Sequence, residues 1–388
     1  DGSGSTTASG ASTFTTIYED TLEAVSSTTN IILLATSSIS LSDLSDNLLN
    51  LQQGSGNSVT FTVTAGTISF ASSSDTISTN GGSINFNATG DLTIGSLISN
   101  GGDISLKGND LALSGNLSSG AGNINITHND SGKIGLGGTS CGSSCSMTIT
   151  STELAAMSGN KLVIGGSTNG DIYVDGITQT TSTFSNGVEL NVDAHLSGSK
   201  GAIVFEGSDS SFSTLTANAV DGVEVNANLT TTTGALSLDG DSDNAVDTLS
   251  GNDYILFASG TTLTSAGNIT LSAANGGMTT AGNLTLSAPS SITMTGTMRG
   301  TGDISLSASN GITLNNSIST SSGLLSINAN SSALTLGSGV TLSSTNALTL
   351  AASSTTSSGD LTLTSSASTI NVNNALVSAG AVTMTAST

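Results

Sequence analysis

The sequence predicts an all-β protein: a parallel β-helix (β-solenoid) with coils of about 20 residues. Three observations carry this expectation. A motif of Gly, then Asp or Asn, then two aliphatic residues separated by a polar one recurs as Gly102-Asp103-Ile104-Ser105-Leu106, Gly122-Asn123-Ile124-Asn125-Ile126, Gly267-Asn268-Ile269-Thr270-Leu271, Gly282-Asn283-Leu284-Thr285-Leu286, Gly302-Asp303-Ile304-Ser305-Leu306 and Gly359-Asp360-Leu361-Thr362-Leu363. Its anchors at 82, 102 and 122 and at 282 and 302 lie 20 apart, with 21 from 302 to 323 and from 359 to 380, while 267 to 282 is 15 and reads as a shortened copy. Within each copy the hydrophobic period is two, which places Ile304, Leu306 and Ala308 on one face of a strand and Ser305 and Ser307 on the other.

Strands of three to five residues do not hold a hairpin sheet alone. Stacking copies lets each strand pair with its equivalent one coil above and below, which is the parallel β-helix. Gly and Asn are expected at the corners because they tolerate positive φ. An antiparallel sandwich would instead place turn clusters every 8 to 12 residues.

Composition narrows the class. The 388 residues include 48 Gly, one Pro, no Trp and 3% aromatics, which argues against an outer-membrane barrel with aromatic girdles and against immunoglobulin-like sandwiches. A formal charge of −22 with five scattered cations, Lys107, Lys133, Lys161, Lys200 and Arg299, supplies no basic stripe for nucleic acid. No apolar run approaches the roughly 20 residues of a spanning helix, so no membrane-spanning segment is expected.

In chain order, residues 1–12 read as a Gly/Ser/Thr-rich linker or donated strand, and residues 13–78 as irregular first coils. In the latter, Ile31–Leu34, Ile39–Leu41, Leu48–Leu51 and Val59–Val63 are strand-like and Thr21–Ala24 is one helical turn. Residues 79–388 form the repetitive β-helix, expected to continue into adjoining segments of a longer chain or to stack end to end on another copy, since Gly380–Thr388 shows neither cap nor charge.

Cys141 and Cys145 are the only cysteines. Zinc would need more ligands than His128 and His195 supply; a small disulfide across a Gly-Ser turn fits an oxidising, extracellular setting, with free thiols as the alternative. The dense acidic stretch makes Asp239, Asp241, Asp243 and Asp247 candidate calcium ligands through its Asp-x-Asp-x-Asp spacing. Asn244 stands where a calcium loop has Gly, and a solvated acidic loop is the competing reading. His128, beside Asp130, is expected in a solvent-facing turn, and Tyr18, Tyr173 and Tyr254 are isolated. Asn-x-Ser/Thr occurs at Asn87, Asn116, Asn125, Asn129, Asn228, Asn268, Asn283, Asn315 and Asn330, candidate glycosylation positions on the outward rows.

The Gly-Asp-Ile-x-Leu copies of residues 282 to 388, with Thr79–Ile84 and the Ile39–Leu44 run, resemble filamentous-haemagglutinin-type repeats of bacterial secreted exoproteins. The resemblance implies a right-handed β-helix rod on or outside a bacterial cell, used in adhesion or as matrix, with host or cell-surface glycans among its candidate partners. Parallel β-helices also host polysaccharide-cleaving enzymes. Such sites need clustered basic side chains for uronates or paired acids for proton transfer, and the sequence offers only the 239–247 cluster. The expected function is therefore structural, not enzymatic: an extracellular rod for adhesion, surface coating or filament building. A polysaccharide-binding or polysaccharide-cleaving β-helix is the alternative.

Overall fold

Short parallel strands joined at tight corners make up 52% of the chain and helix only 3%, forming a β-solenoid of about 14 turns with coils of about 22 residues. The computed structural model describes residues 15–138, 144–178, 183–196, 198–245 and 253–387. The expected linker at 1–12, like Cys141 and Asp247, lies outside the described residues. The chain divides into two compact units, one mainly of residues up to Ile172 and one mainly of residues from Lys200 onward.

In the first unit three strands make each coil. One row runs through Ile31–Ala35, Ser58–Val63, Ser83–Ala88, Ile104–Gly108 and Ile124–His128, all parallel. Its inward positions form ladders: Ile31, Val59, Ile84, Ile104 and Ile124 in one, Leu33, Phe61, Phe86, Leu106 and Ile126 in the next. Phe61 and Phe86 stack at 4.9 Å and 7°, with Phe70 edge-on to Phe86 at 6.2 Å, so three of the aromatics cluster in this part of the core. Register partners are 28 residues apart from Ile31 to Val59, 25 from Val59 to Ile84 and 20 from Ile84 to Ile104 and on to Ile124, so along this row the early coils differ in corner length and not in strand register, whereas Leu48–Gly54 shifts register against Thr76–Asn80 between Asn50 and Gly54.

Helix α1 (Glu19–Glu23) extends the predicted turn, and Asn50 N–H donates to its Glu23 Oε1 at 2.7 Å, covering part of the edge strand Leu48–Gly54. Helix α2 (Ser151–Ala155) lies beyond the predicted elements. Its signal is nevertheless in the sequence as the capping box Thr150-x-x-Glu153: Glu153 N–H donates to Thr150 Oγ1 at 3.2 Å and Thr150 N–H to Glu153 Oε2 at 2.8 Å.

In the second unit the same three-strand coil recurs. The row Leu284–Ala288, Ile304–Ala308, Leu325–Asn328, Leu348–Ala351 and Ile370–Val372 stacks Leu286, Leu306, Ile327 and Leu350 inward, all nearly inaccessible. Ile269 belongs to a different row, paired with Ile292, whereas Leu284 pairs with Ile304, and Leu361 lies in a third row paired with Val340 and Val382. The 15-residue spacing from Gly267 to Gly282 is thus a step between two corners and not a shortened coil. The motif marks a corner, and any of the three corners can carry it.

Two features of the motif have physical causes. First, the Asp or Asn side chain clamps the next coil: Asn123 N–H donates to Asp103 Oδ1 (2.7 Å), Asp303 N–H to Asn283 Oδ1 (2.9 Å), Leu324 N–H to Asp303 Oδ1 (2.9 Å) and Ala381 N–H to Asp360 Oδ1 (2.8 Å). Each satisfies a corner N–H that has left the strand ladder. Second, the anchor glycines Gly102, Gly302 and Gly359 do not have positive φ, contrary to expectation. They are needed for close approach: a Cβ on Gly102 would lie 2.5 Å from the Gly82 carbonyl carbon and oxygen. Positive φ falls at other corners, including Asn100 and Asn330. Buried hydroxyls close the same bends, as where Thr79 Oγ1 donates to Gly82 O (2.5 Å) and Ser119 Oγ to Gly122 O (2.7 Å).

Candidate functional site

Alternation sends charged residues outward, and coil stacking then pairs residues far apart in sequence. In the first unit Lys161 Nζ meets Glu189 Oε2 at 2.8 Å. Lys133 Nζ lies 3.6 Å from the buried Asp171 carboxylate, to which Ser199 Oγ also donates at 2.6 Å. In the second unit, strand Gly222–Val225 presents Glu224, which accepts from Lys200 Nζ (3.0 Å) and Tyr254 Oη (3.0 Å). The Tyr254 ring crosses over Gly222, where a Cβ would come within 3.3 Å of it, and the glycine lets the hydroxyl reach two residues along the neighbouring strand. The hydrogen bond to Glu224 holds the Lys200 ammonium above the usual lysine range, outweighing the opposing effect of partial burial.

The Asp221 side chain is inaccessible and bonds His195 Nδ1, while the imidazole stays about a third exposed (35%). Gly201 faces that carboxylate, and a side chain there would displace it. The arrangement fixes one ring nitrogen on a buried acid, the usual device for orienting an imidazole. These pairs escaped sequence reading because the partners stand 24 to 38 residues apart on separate coils; only the coil period itself could have brought them together.

No protein-family model, curated protein or solved structure matches this chain.

The candidate calcium ligands distribute as follows. Asp239 ends the strand Leu236–Asp239 on its outward side and its Oδ1 accepts from Asp241 N–H at 3.1 Å, whereas Asp241 is inaccessible and its Oδ2 accepts from Asn275 N–H at 2.9 Å. Asp243 is exposed and accepts from Ala245 N–H (3.0 Å). Among the described residues no group of three or more His, Cys, Asp or Glu is arranged to hold a metal ion. Burial, and then the neighbouring Asp241 charge, push the Asp239 carboxyl above the usual aspartate range, and the bond from Asp241 N–H only partly opposes this.

His128 corrects its expected solvent-facing placement. It ends Ile124–His128 on the inward ladder beside Gly108, only 2% exposed, with Nδ1 2.5 Å from the Asp130 carbonyl oxygen. The missing side chain at Gly132 leaves room for the ring, since a Cβ there would lie 2.3 Å from His128 Cε1. Cys145 lies just before Met147–Thr150 and is not a free thiol.

All nine candidate glycosylation asparagines are at least partly exposed. Their Nδ2 atoms, which a glycan would modify, differ. Those of Asn125, Asn129, Asn228, Asn315 and Asn330 donate to protein oxygens. Asn268 and Asn283 use only Oδ1, as acceptors.

Arg299, on the outward side of Met298–Gly300, lies in register between Thr279 and Ser319, and Ser319 is followed by Ser343. These residues with Thr301 and Ser321 line a surface groove of about 470 Å³. Lys133, Lys161 and Lys200 are each held by an acid; Arg299 forms no ion pair among the described residues.

Proposed function

We propose that the chain is a structural β-solenoid of a bacterial exterior, acting in adhesion, surface coating or filament and matrix building, without turnover. The observation that supports this reading is the clamp row. The corner acids and amides, which would be raw material for catalysis, are engaged in holding one coil to the next. Growth by end-to-end stacking is part of the same proposal, since coil already pairs on coil in parallel register throughout, as Leu361–Ser365 does with Val382–Ala386. A disulfide between Cys141 and Cys145 and glycans on the outward asparagines belong to the same extracellular reading.

Electron microscopy over a concentration series tests it together with incubation on acidic and neutral polysaccharides. Filaments that lengthen with concentration and no new reducing ends are expected. Discrete particles at every concentration refute stacking, and new reducing ends refute a purely structural role.

A further inference from the structure

We infer that the groove around Arg299 is a binding site for an acidic saccharide, whose carboxylate or sulfate oxyanion sits on the guanidinium while sugar hydroxyls meet the flanking Thr and Ser side chains. Three independent observations point there. Arg299 is the sole arginine of the chain, and it stands on the outward face of its strand with no acid bonded to it among the described residues. Acids are sparse around it despite the net charge of −22: from residue 254 onward the only ones in the sequence are Asp303 and Asp360. Both of those carboxylates accept corner N–H groups of the next coil.

The third observation is the lining. Thr279, Ser319 and Ser343 occupy the same outward register position as Arg299 in neighbouring coils, so the guanidinium lies in a row of hydroxyls at the inter-strand step of about 4.8 Å. A planar fork of five N–H donors matches a two-oxygen acceptor bidentately. Hydroxyls on both sides supply the donors and acceptors that a saccharide's own hydroxyls need. The groove holds no aromatic side chain, so recognition rests on the oxyanion and not on stacking against a sugar face. The inference rests on the surface-contact reading above only in taking a polysaccharide as the natural ligand of an exterior protein.

A single arginine gives a single side-chain Nε–H correlation in a ¹⁵N TROSY spectrum, so the site reports on itself. The full chain is titrated with oligogalacturonate, with a sulfated dextran oligomer and with a neutral malto-oligosaccharide at matched ionic strength. A saturable shift of that resonance is expected with one or both acidic oligomers and none with the neutral one. A response to galacturonate alone assigns a carboxylate ligand, and a response to the sulfated oligomer alone assigns a sulfate. Calorimetry on Arg299→Gln should show affinity falling by at least about tenfold, with unchanged circular dichroism, while Lys107→Gln binds as the parent does. No shift with either acidic oligomer, an equal shift with the neutral one, or undiminished binding by Arg299→Gln overturns the assignment. Reducing-end assays on the same samples separately test the absence of turnover.

Discussion

Replacing Gly302 by alanine would place a methyl carbon 2.5 Å from Asn283 Oδ1, 2.5 Å from the Gly282 carbonyl carbon and 2.7 Å from Asn283 N. Carbon contacts are comfortable at about 3.5–4.0 Å, so the preceding coil has to retreat by roughly 1 Å, and backbone atoms cannot swing aside as a side chain can. The retreat stretches the bond from Asp303 N–H to Asn283 Oδ1 (2.9 Å) and the one from Leu284 N–H to Asp303 O (2.8 Å) beyond useful hydrogen-bond range. Overpacking costs about 1–3 kcal/mol and each weakened bond about 1 kcal/mol, giving an expected loss of about 3–5 kcal/mol at this corner. Gly339 provides the contrast. Its φ is +73° but a methyl carbon there would meet nothing within 4 Å, so Gly339→Ala bears only the left-handed backbone penalty of about 1–2 kcal/mol. Hydrogen exchange by mass spectrometry reads the difference locally, which suits a stacked-coil protein whose coils need not open together. Exchange in Leu284–Ala288 and Ile304–Ala308 should accelerate by about a hundredfold or more in Gly302→Ala, since about 3 kcal/mol corresponds to that factor. An equal or larger effect from Gly339→Ala would refute close approach as the reason for the anchor glycine.

Other perturbations discriminate among the remaining forces. Asp303→Asn keeps an acceptor for Leu324 N–H and should leave the thermal midpoint nearly unchanged, whereas Asp303→Ala leaves that donor unmet and should cost about 1–2 kcal/mol in urea titration. Leu306→Ala empties a fully buried site between Leu286 and Ile327 and should cost about 2–5 kcal/mol, with lost exchange protection centred on those three strands. Asp239→Asn should raise the melting temperature at neutral pH. The native carboxyl titrates above its unfolded value, so the folded state binds more protons in that interval. Stability therefore falls as pH rises through the interval and stays lower above it. Wild type and variant should converge below the ordinary aspartate range, and a gap persisting there would remove burial of the charge as its cause.

Period-two alternation revealed the coil interior residue by residue: Ile304, Leu306 and Ala308 are inward and Ser305 and Ser307 outward. Corner phase was less legible. Because the motif answers a local need, a close backbone approach plus an unmet N–H, it recurs at Gly267, Gly282 and Gly359 in three different rows and cannot number the coils by itself. Insertions such as the one carrying α2 lengthen single coils, which is why the mean exceeds the 20 residues of the regular stretch. Polar contacts were least legible. His195 with Asp221 and Lys200 with Glu224 meet only through stacking, and His128 is internal with its ring packed against Gly132, where any side chain would collide with it.

The clamp asks only for a short side chain ending in an oxygen that can accept. Asn228, Asn268 and Asn283 serve Thr262, Ser291 and Asp303 as Asp209, Asp303 and Asp360 serve Asn228, Leu324 and Ala381. Hydrolysis of an amide at one of these rungs converts one clamp residue into the other. Slow deamidation would therefore make an ageing molecule more acidic without loosening its winding, leaving surface charge free to vary independently of the architecture that carries it.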